Sequence, residues 1–326
     1  MTRAAFASAR PAVSVDELKR AWHAVQAGQF RHTRRTHSRL GHTAPVDGRA
    51  AEWVRAPGEH VVPILGAVGS AGTSTVALAL ALAVERPTRV VECGPAIASG
   101  LASASTAEMG LHETGWRQGK RDTVLLERTS EPIAGADDAP TPTPATHEDQ
   151  LTILDVGWEA SGVLTGAGWL TAALSEAPAI VMVTPATVPA FRRLDALLEL
   201  FVATHPTGWE RLCLAVVGPP RKKWPRGLEH TGGRLTRRVL ASDRVVQIPH
   251  DRDLAVNGLD SRPLPEAVLT AAALLLSLVD RPGSPPRPRL GVAEPTRSEF
   301  RSTSPTPKEP ESGRAGHIGG NLSWSH

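Results

Sequence analysis

The stretch VVPILGAVGSAGTSTVALALALAV, residues 61–84, decides the fold. Its first six residues are apolar with almost no alternation, the pattern of a strand buried on both faces, as strands of parallel sheets are. A loop of small residues follows, and STVALALALAVE (74–85) carries helical patterning. Strand, glycine-rich loop and helix form an arrangement that binds phosphate. Gly69 and Gly72 let the backbone curl with its N–H groups inward, and the helix N-terminus adds partial positive charge. Gly66, Ser70 and Thr73 complete the loop, while Ser74 and Thr75 place hydroxyls where a Mg²⁺ ligand would stand. An ordinary turn before a helix uses the same residue types. The four features in succession favour phosphate.

Outward from this stretch, strand-like and helix-like segments alternate. Strands are predicted at 60–66, 88–93, 123–128, 151–157, 179–185, 212–218 and 244–249, and helices at 74–85, 161–176, 187–204 and 264–280. Repeated strand–helix–strand order predicts an α/β fold, a doubly wound and mostly parallel sheet with helices on both faces. The domain spans 59–280 and carries a low-complexity insertion at 134–150, AGADDAPTPTPATHEDQ, whose prolines predict an extended, solvated loop. Residues 281–326 are Pro-, Ser- and charge-rich and read as a disordered tail. Residues 1–58 hold one amphipathic helix, capped by Ser14 with Glu17 and striped by Leu18, Ala21, Trp22 and Val25, then a basic linker. That stripe needs a partner, either the body or another protein, because so short a helix is marginal alone.

The chain has 326 residues and a net charge of +3, which hides an asymmetry: 1–58 carries +6, 281–326 carries +3 and 59–280 carries −6. Only 5 of its 36 basic residues are lysine. No apolar run approaches the ~20 residues of a membrane span, and the start lacks the apolar core of a secretory signal. Cys93 and Cys213 are too few for a disulfide framework or a cysteine zinc site. A cytoplasmic protein is expected.

Together these residues resemble the ParA/MinD-like P-loop NTPases of bacterial partitioning and positioning systems. The family's loop, approximately GKGGxGKT[ST], falls on Ala67 to Thr75. LTILDVG is similar to the strand that places an acid near Mg²⁺, here Asp155. The run from IPHDRDLAV resembles the last strand and nucleotide-side loop, with Pro249, His250 and Asp251 beside the base. The resemblance covers roughly 59–280 and implies ATP or ADP with Mg²⁺, a homodimer or protein partner, and binding to DNA without sequence preference. The amphipathic membrane helix of MinD relatives has no counterpart, so no membrane partner is expected.

The departures matter as much. Against the family pattern, Thr73 stands for the phosphate-gripping lysine and Val68 for the second lysine that reaches across a dimer. Gly94 replaces the acid that organises the attacking water, and Gly218 falls near the asparagine that reads adenine. A cation about 4 Å from phosphate contributes on the order of 4 kcal/mol at intermediate dielectric. The resemblance therefore implies a degenerate member, a weak or non-hydrolysing nucleotide-binding scaffold in plasmid maintenance, partitioning or positioning. Two alternatives stay open. Arg117, Lys120 and Arg121 are either a solvated turn before an edge strand or a replacement cation for an active, divergent ATPase. Arg221, Lys222, Lys223, Arg226, Arg234, Arg237 and Arg238, a net +6 across 221–238 with Glu229, are either a solvated basic loop or a non-specific DNA footprint. Trp116, Trp158 and Trp169 read as packing residues, with Trp158 also placed to cover the phosphate loop.

Overall fold

A computed structural model describes residues 53–98 and 100–281. The amphipathic helix, most of the basic linker and the Pro-rich tail lie outside them.

Nine strands form one sheet in the order β3-β4-β5-β2-β6-β1-β7-β8-β9. They are β1 His60–Gly66, β2 Thr88–Cys93, β3 Ala107–Leu111, β4 Trp116–Arg121, β5 Val124–Thr129, β6 Leu151–Val156, β7 Ile180–Pro185, β8 Leu212–Gly218 and β9 Val245–Pro249. From β5 to β9 every pairing is parallel; β4 is antiparallel to both its neighbours. The expected α/β architecture is the one found. Pro63 is tolerated in a central strand because pairing with β7 starts only at Ile64.

Two apolar layers cover the sheet. On one face lie α1 (Thr73–Leu82) and α7 (Glu266–Val279), packed on Val62, Ile64, Val90, Ile153 and Val181. The run Val76 to Ala81 is buried throughout, so α1 is apolar on all sides, as a helix between a sheet and a second helix must be. On the other face α2 (Ala160–Thr165), α3 (Trp169–Glu176), α4 (Val188–Thr204) and α5 (Arg234–Leu240) pack on Leu65, Val91, Leu154 and Leu214. The remaining helix, α6 (Arg252–Asn257), follows β9.

Three expectations are corrected. The single helix over 161–176 is two, divided at Gly166–Gly168, where the Gly168 N–H donates to Asp137 Oδ1 at 2.9 Å. The turn before an edge strand is instead the hairpin β3–β4, whose short, polar strands hide their period. Asp122, at φ +52°, lies in the two-residue link to β5. The insertion is extended but not solvated throughout: Ala139 and Thr143 are buried. The Ala139 carbonyl accepts from the Trp169 indole at 2.7 Å, and that of Thr141 from Trp116 at 2.8 Å.

What holds this strap is Arg89, which is 1% exposed. Its Nε donates to Thr152 Oγ1 at 2.8 Å, one terminal nitrogen to Glu59 at 2.8 Å, and the other to Glu127 at 3.2 Å and the Thr143 carbonyl at 2.6 Å. A buried guanidinium is tolerable only when paired and hydrogen-bonded, and removing it strands both carboxylates. Arg89→Met is expected to lower stability by about 3–5 kcal/mol, read from urea unfolding midpoints; a change within error would show that the network is dispensable.

Candidate phosphate-binding site

Strands β1, β2 and β6 end side by side, and their carboxyl ends carry the site. After Gly66 the chain curls through Ser70 at φ +56° and Gly72 at φ +90° before entering α1, whose N-cap is Gly72. The Ala67 N–H is tied to the Val183 carbonyl at 2.8 Å, which anchors the loop to β7. The Thr73 hydroxyl folds back over Gly66, 2.8 Å from where a Cβ would stand, so only glycine leaves it room. Thr73 thus closes the base of its own loop, whereas a lysine would project from it.

Ser74 hydrogen-bonds Asp155 at the end of β6. Asp155 is 2% exposed, and its Oδ1 has no hydrogen-bond partner among the described residues. Burial pushes its pKa up to about 7, the neighbouring Glu92 adds to the rise, and the Ser74 bond opposes it. Hydroxyl and carboxylate are both hard oxygen donors, and the orphaned Oδ1 supplies an unmet demand for a cation, so the pair fits Mg²⁺. Thr75 is half-buried in the first turn of α1.

Two participants were not foreseen. Glu92 is in register with Asp155, and its Oε1 accepts from the N–H groups of Gly100 at 2.8 Å and Leu101 at 3.2 Å. A Cβ on Gly100 would lie 2.7 Å from Ser74 Oγ, so this grip seats the Gly100 backbone against the serine. Arg128 on β5, in register with Glu92, pairs with both oxygens of Glu108 at 2.6–2.7 Å, and its Nε is buried without a partner among the described residues. Their signal in the sequence is faint: each is a charge near the end of a largely apolar strand, and its role is visible only once register is known.

The other predicted residues fall as follows. Pro249 is in register with Gly218, the His250 N–H donates to the Gly218 carbonyl at 3.3 Å, and Asp251 caps α6 through the Leu254 N–H at 2.9 Å. They line up at the carboxyl ends of β8 and β9, on the flank of the loop where Gly72 meets Val217. A Cβ on Gly218 would stand 2.7 Å from that of Ala186, and one on Gly94 3.1 Å from the Gly157 Cα. A side chain at 218 therefore requires its neighbour to shift, and one at 94 is crowded by the Gly157 backbone.

The replacement-cation reading does not survive for Arg121. It is 2% exposed and donates to the carbonyls of Ala104 at 3.3 Å, Asp260 at 2.5 Å and Arg262. Burial lowers its pKa. Lys120 and Arg121 pair with the first residues of β5, at the end of the sheet opposite the loop. Arg117 lies at the carboxyl end, but β4 is four strands from β1, about 19 Å at ~4.8 Å per strand.

The basic segment divides. Arg221 is engaged by Glu229 through two bonds of 2.6 Å and by the Leu240 carbonyl, and the Glu229 bonds raise its pKa. Arg238 lies over the Trp209 ring at 4.7 Å, and Arg237 donates to the Gly232 carbonyl at 3.4 Å. Lys222, Lys223, Arg226, Arg234, Arg237 and Arg238 are exposed.

No family model matches the chain, and no curated protein matches it in sequence. Among solved structures it is similar to a putative plasmid partition protein from Borrelia burgdorferi bound to AMPPNP (15% identity, 68% of this chain and 98% of that one, TM-score 0.44). It is also similar to apo McdA from Cyanothece (12%, 67% and 99%, TM-score 0.46) and to the MinC:MinD cell division complex of Aquifex aeolicus (13%, 67% and 96%, TM-score 0.42). The likeness is one of architecture. No helix among the described residues is long and apolar enough to cross a membrane.

Because Asp155 binds its proton more tightly when folded than when unfolded, its contribution to stability is full below the ordinary carboxylate range. It is lost as pH rises towards about 7. Relative to Asp155→Asn, the protein is expected to lose up to about 4 kcal/mol between pH ~4 and ~7 and then level off. Parallel stability–pH curves for the two proteins would remove the assignment.

Proposed function

We propose that the chain is a degenerate ParA/MinD-like protein that binds a nucleotide or its phosphates weakly, does not turn ATP over efficiently, and acts as a scaffold in plasmid maintenance, partitioning or positioning. One observation carries this: the loop is curled at the carboxyl edge with Ser74 on a buried, half-satisfied Asp155, yet Thr73 and Gly94 stand where cation and second acid would act. When bound, Mg²⁺ would neutralise charge on the phosphate oxygens. The chain's own part is to hold that ion through Ser74 and Asp155 and to present loop N–H groups to phosphate. With no lysine to grip the β- and γ-phosphates and no acid at 94 to orient water, the cradle binds without activating an attack. The architecture shared with proteins named for plasmid partition and cell division supports the setting, and a homodimer or protein partner belongs to the same reading.

Calorimetric titration with Mg²⁺-ATP, Mg²⁺-ADP and Mg²⁺-GTP, paired with phosphate release, tests this. Weak binding without turnover is expected, and Thr73→Lys is expected to tighten Mg²⁺-ATP by at least about tenfold, ~1.4 kcal/mol. Ordinary turnover by the unaltered protein would overturn the reading.

A second reading is supported by the six exposed cations of the basic segment, which gather on a chain whose 59–280 body is otherwise acidic. There the protein binds DNA through phosphate contacts. Affinity should fall steeply with salt, and replacing Lys222, Lys223 and Arg226 by alanine should reduce the log–log slope by about three. Salt-independent binding would exclude this mode.

A further inference from the structure

One wall of the phosphate site comes from the chain that follows β2. Residues Gly100 to Ala104 are gripped there by charged side chains from three adjacent strands, β2, β5 and β4. Glu92 accepts from the N–H groups of Gly100 and Leu101. Arg128 donates to the Ala102 carbonyl at 3.4 Å and Arg121 to that of Ala104 at 3.3 Å. Leu101 and Ala104 are fully buried in the apolar layer that holds α1.

The grip bears on one functional side chain. A Cβ on Gly100 would lie 2.7 Å from Ser74 Oγ and 2.9 Å from Ser74 Cβ, so the glycine backbone stands directly against the serine. A serine left to itself at the start of a helix has more than one staggered position open to it. With Gly100 on one side and Asp155 taking its hydrogen bond, the hydroxyl is held in one. Donating to Asp155 leaves the oxygen's lone pairs to a cation, as a Mg²⁺ ligand requires.

Fold stability does not account for Glu92. It is 5% exposed and in register with Asp155, so two carboxyl groups stand on adjacent strands in the interior. Acids so placed repel each other, and an apolar residue would end the strand without that penalty. What a carboxylate brings to this position is a strong acceptor for two backbone donors.

We propose that Glu92 is a positioning residue of the nucleotide site. Through the Gly100 backbone it sets the Ser74 hydroxyl for Mg²⁺, and so determines how far the ion strengthens phosphate binding. The inference rests on the nucleotide reading and goes beyond it by assigning the metal dependence to a residue acting at one remove.

Calorimetric titration of the full chain with ATP, once with Mg²⁺ and once with EDTA, gives the ratio of the two affinities. Glu92→Leu removes charge and acceptor together, whereas Glu92→Gln removes the charge and keeps an oxygen for both N–H groups. Gly100→Ala sets a methyl against Ser74 with no change of charge. Leucine and alanine are each expected to lower the ratio about fivefold, the scale of ordering one side chain, while affinity in EDTA changes less than about twofold. Glutamine is expected to keep the ratio or raise it. Amide exchange at Gly100, slow in the unaltered protein and in Glu92→Gln but fast in Glu92→Leu, checks the grip with no nucleotide present.

A ratio unmoved by leucine and alanine, an equal fall in both affinities, glutamine as low as leucine, or exchange alike in all three proteins would overturn the proposal. Should Glu92→Leu fail to fold, Gly100→Ala against Glu92→Gln decides. ATP bound in neither condition would remove the nucleotide reading itself, and this inference with it.

Discussion

One guanidinium in the interior joins parts of the chain that are far apart in sequence. Arg89 reaches Glu59 before β1, Thr152 on β6, Glu127 on β5 and Thr143 in the strap, and each of its three nitrogens has a partner. Two carboxylates around one cation leave the cluster formally negative, so hydroxyls complete it: Thr143 donates to Glu127 at 2.5 Å and Thr152 to Glu59. In a low-dielectric interior such a network is unforgiving when incomplete and directional when complete. It orders a Pro-rich segment that has little apolar surface of its own.

At the other end of the sheet the balance runs the opposite way. Glu92 is answered by backbone N–H groups, but Asp155 retains an oxygen with no donor and keeps its proton up to about neutral pH. Buried carboxylates on adjacent strands repel each other, and either a proton or a metal ion relieves that repulsion. The same edge in a working phosphoryl-transfer site also needs a cation on the loop. Here Arg128, buried and in register with Glu92, is turned to Glu108 on the hairpin.

Where apolar character alone dictated the outcome, the sequence was readable. The parallel strands and the long helices α1, α4 and α7 follow from runs of Val, Ile, Leu and Ala whose length and period admit one placement. The loop at 66–75 was legible from Gly66, where a Cβ would meet Thr73, and from Gly72 in the left-handed region, although Ser70 takes that region too. The hairpin was not: β3 and β4 mix charge with glycine, and their pairing arises from adjacency to β5 rather than from local preference. Nor could the roles of Glu92, Arg121 and Arg128 be read, since a charged residue closing an apolar strand looks alike whether it faces water, a carbonyl or a carboxylate. The strap misled for the same reason: composition speaks for solvation, and the contacts that contradict it come from Arg89, Trp116 and Trp169.

The contact between Gly218 and Ala186 bears on how such a protein changes over generations. With 2.7 Å between the methyl of Ala186 and any carbon added at 218, a side chain enters there only if strand β8 or the turn after β7 shifts. Close packing thus couples the two positions: what residue 218 can carry is set by what stands at residue 186.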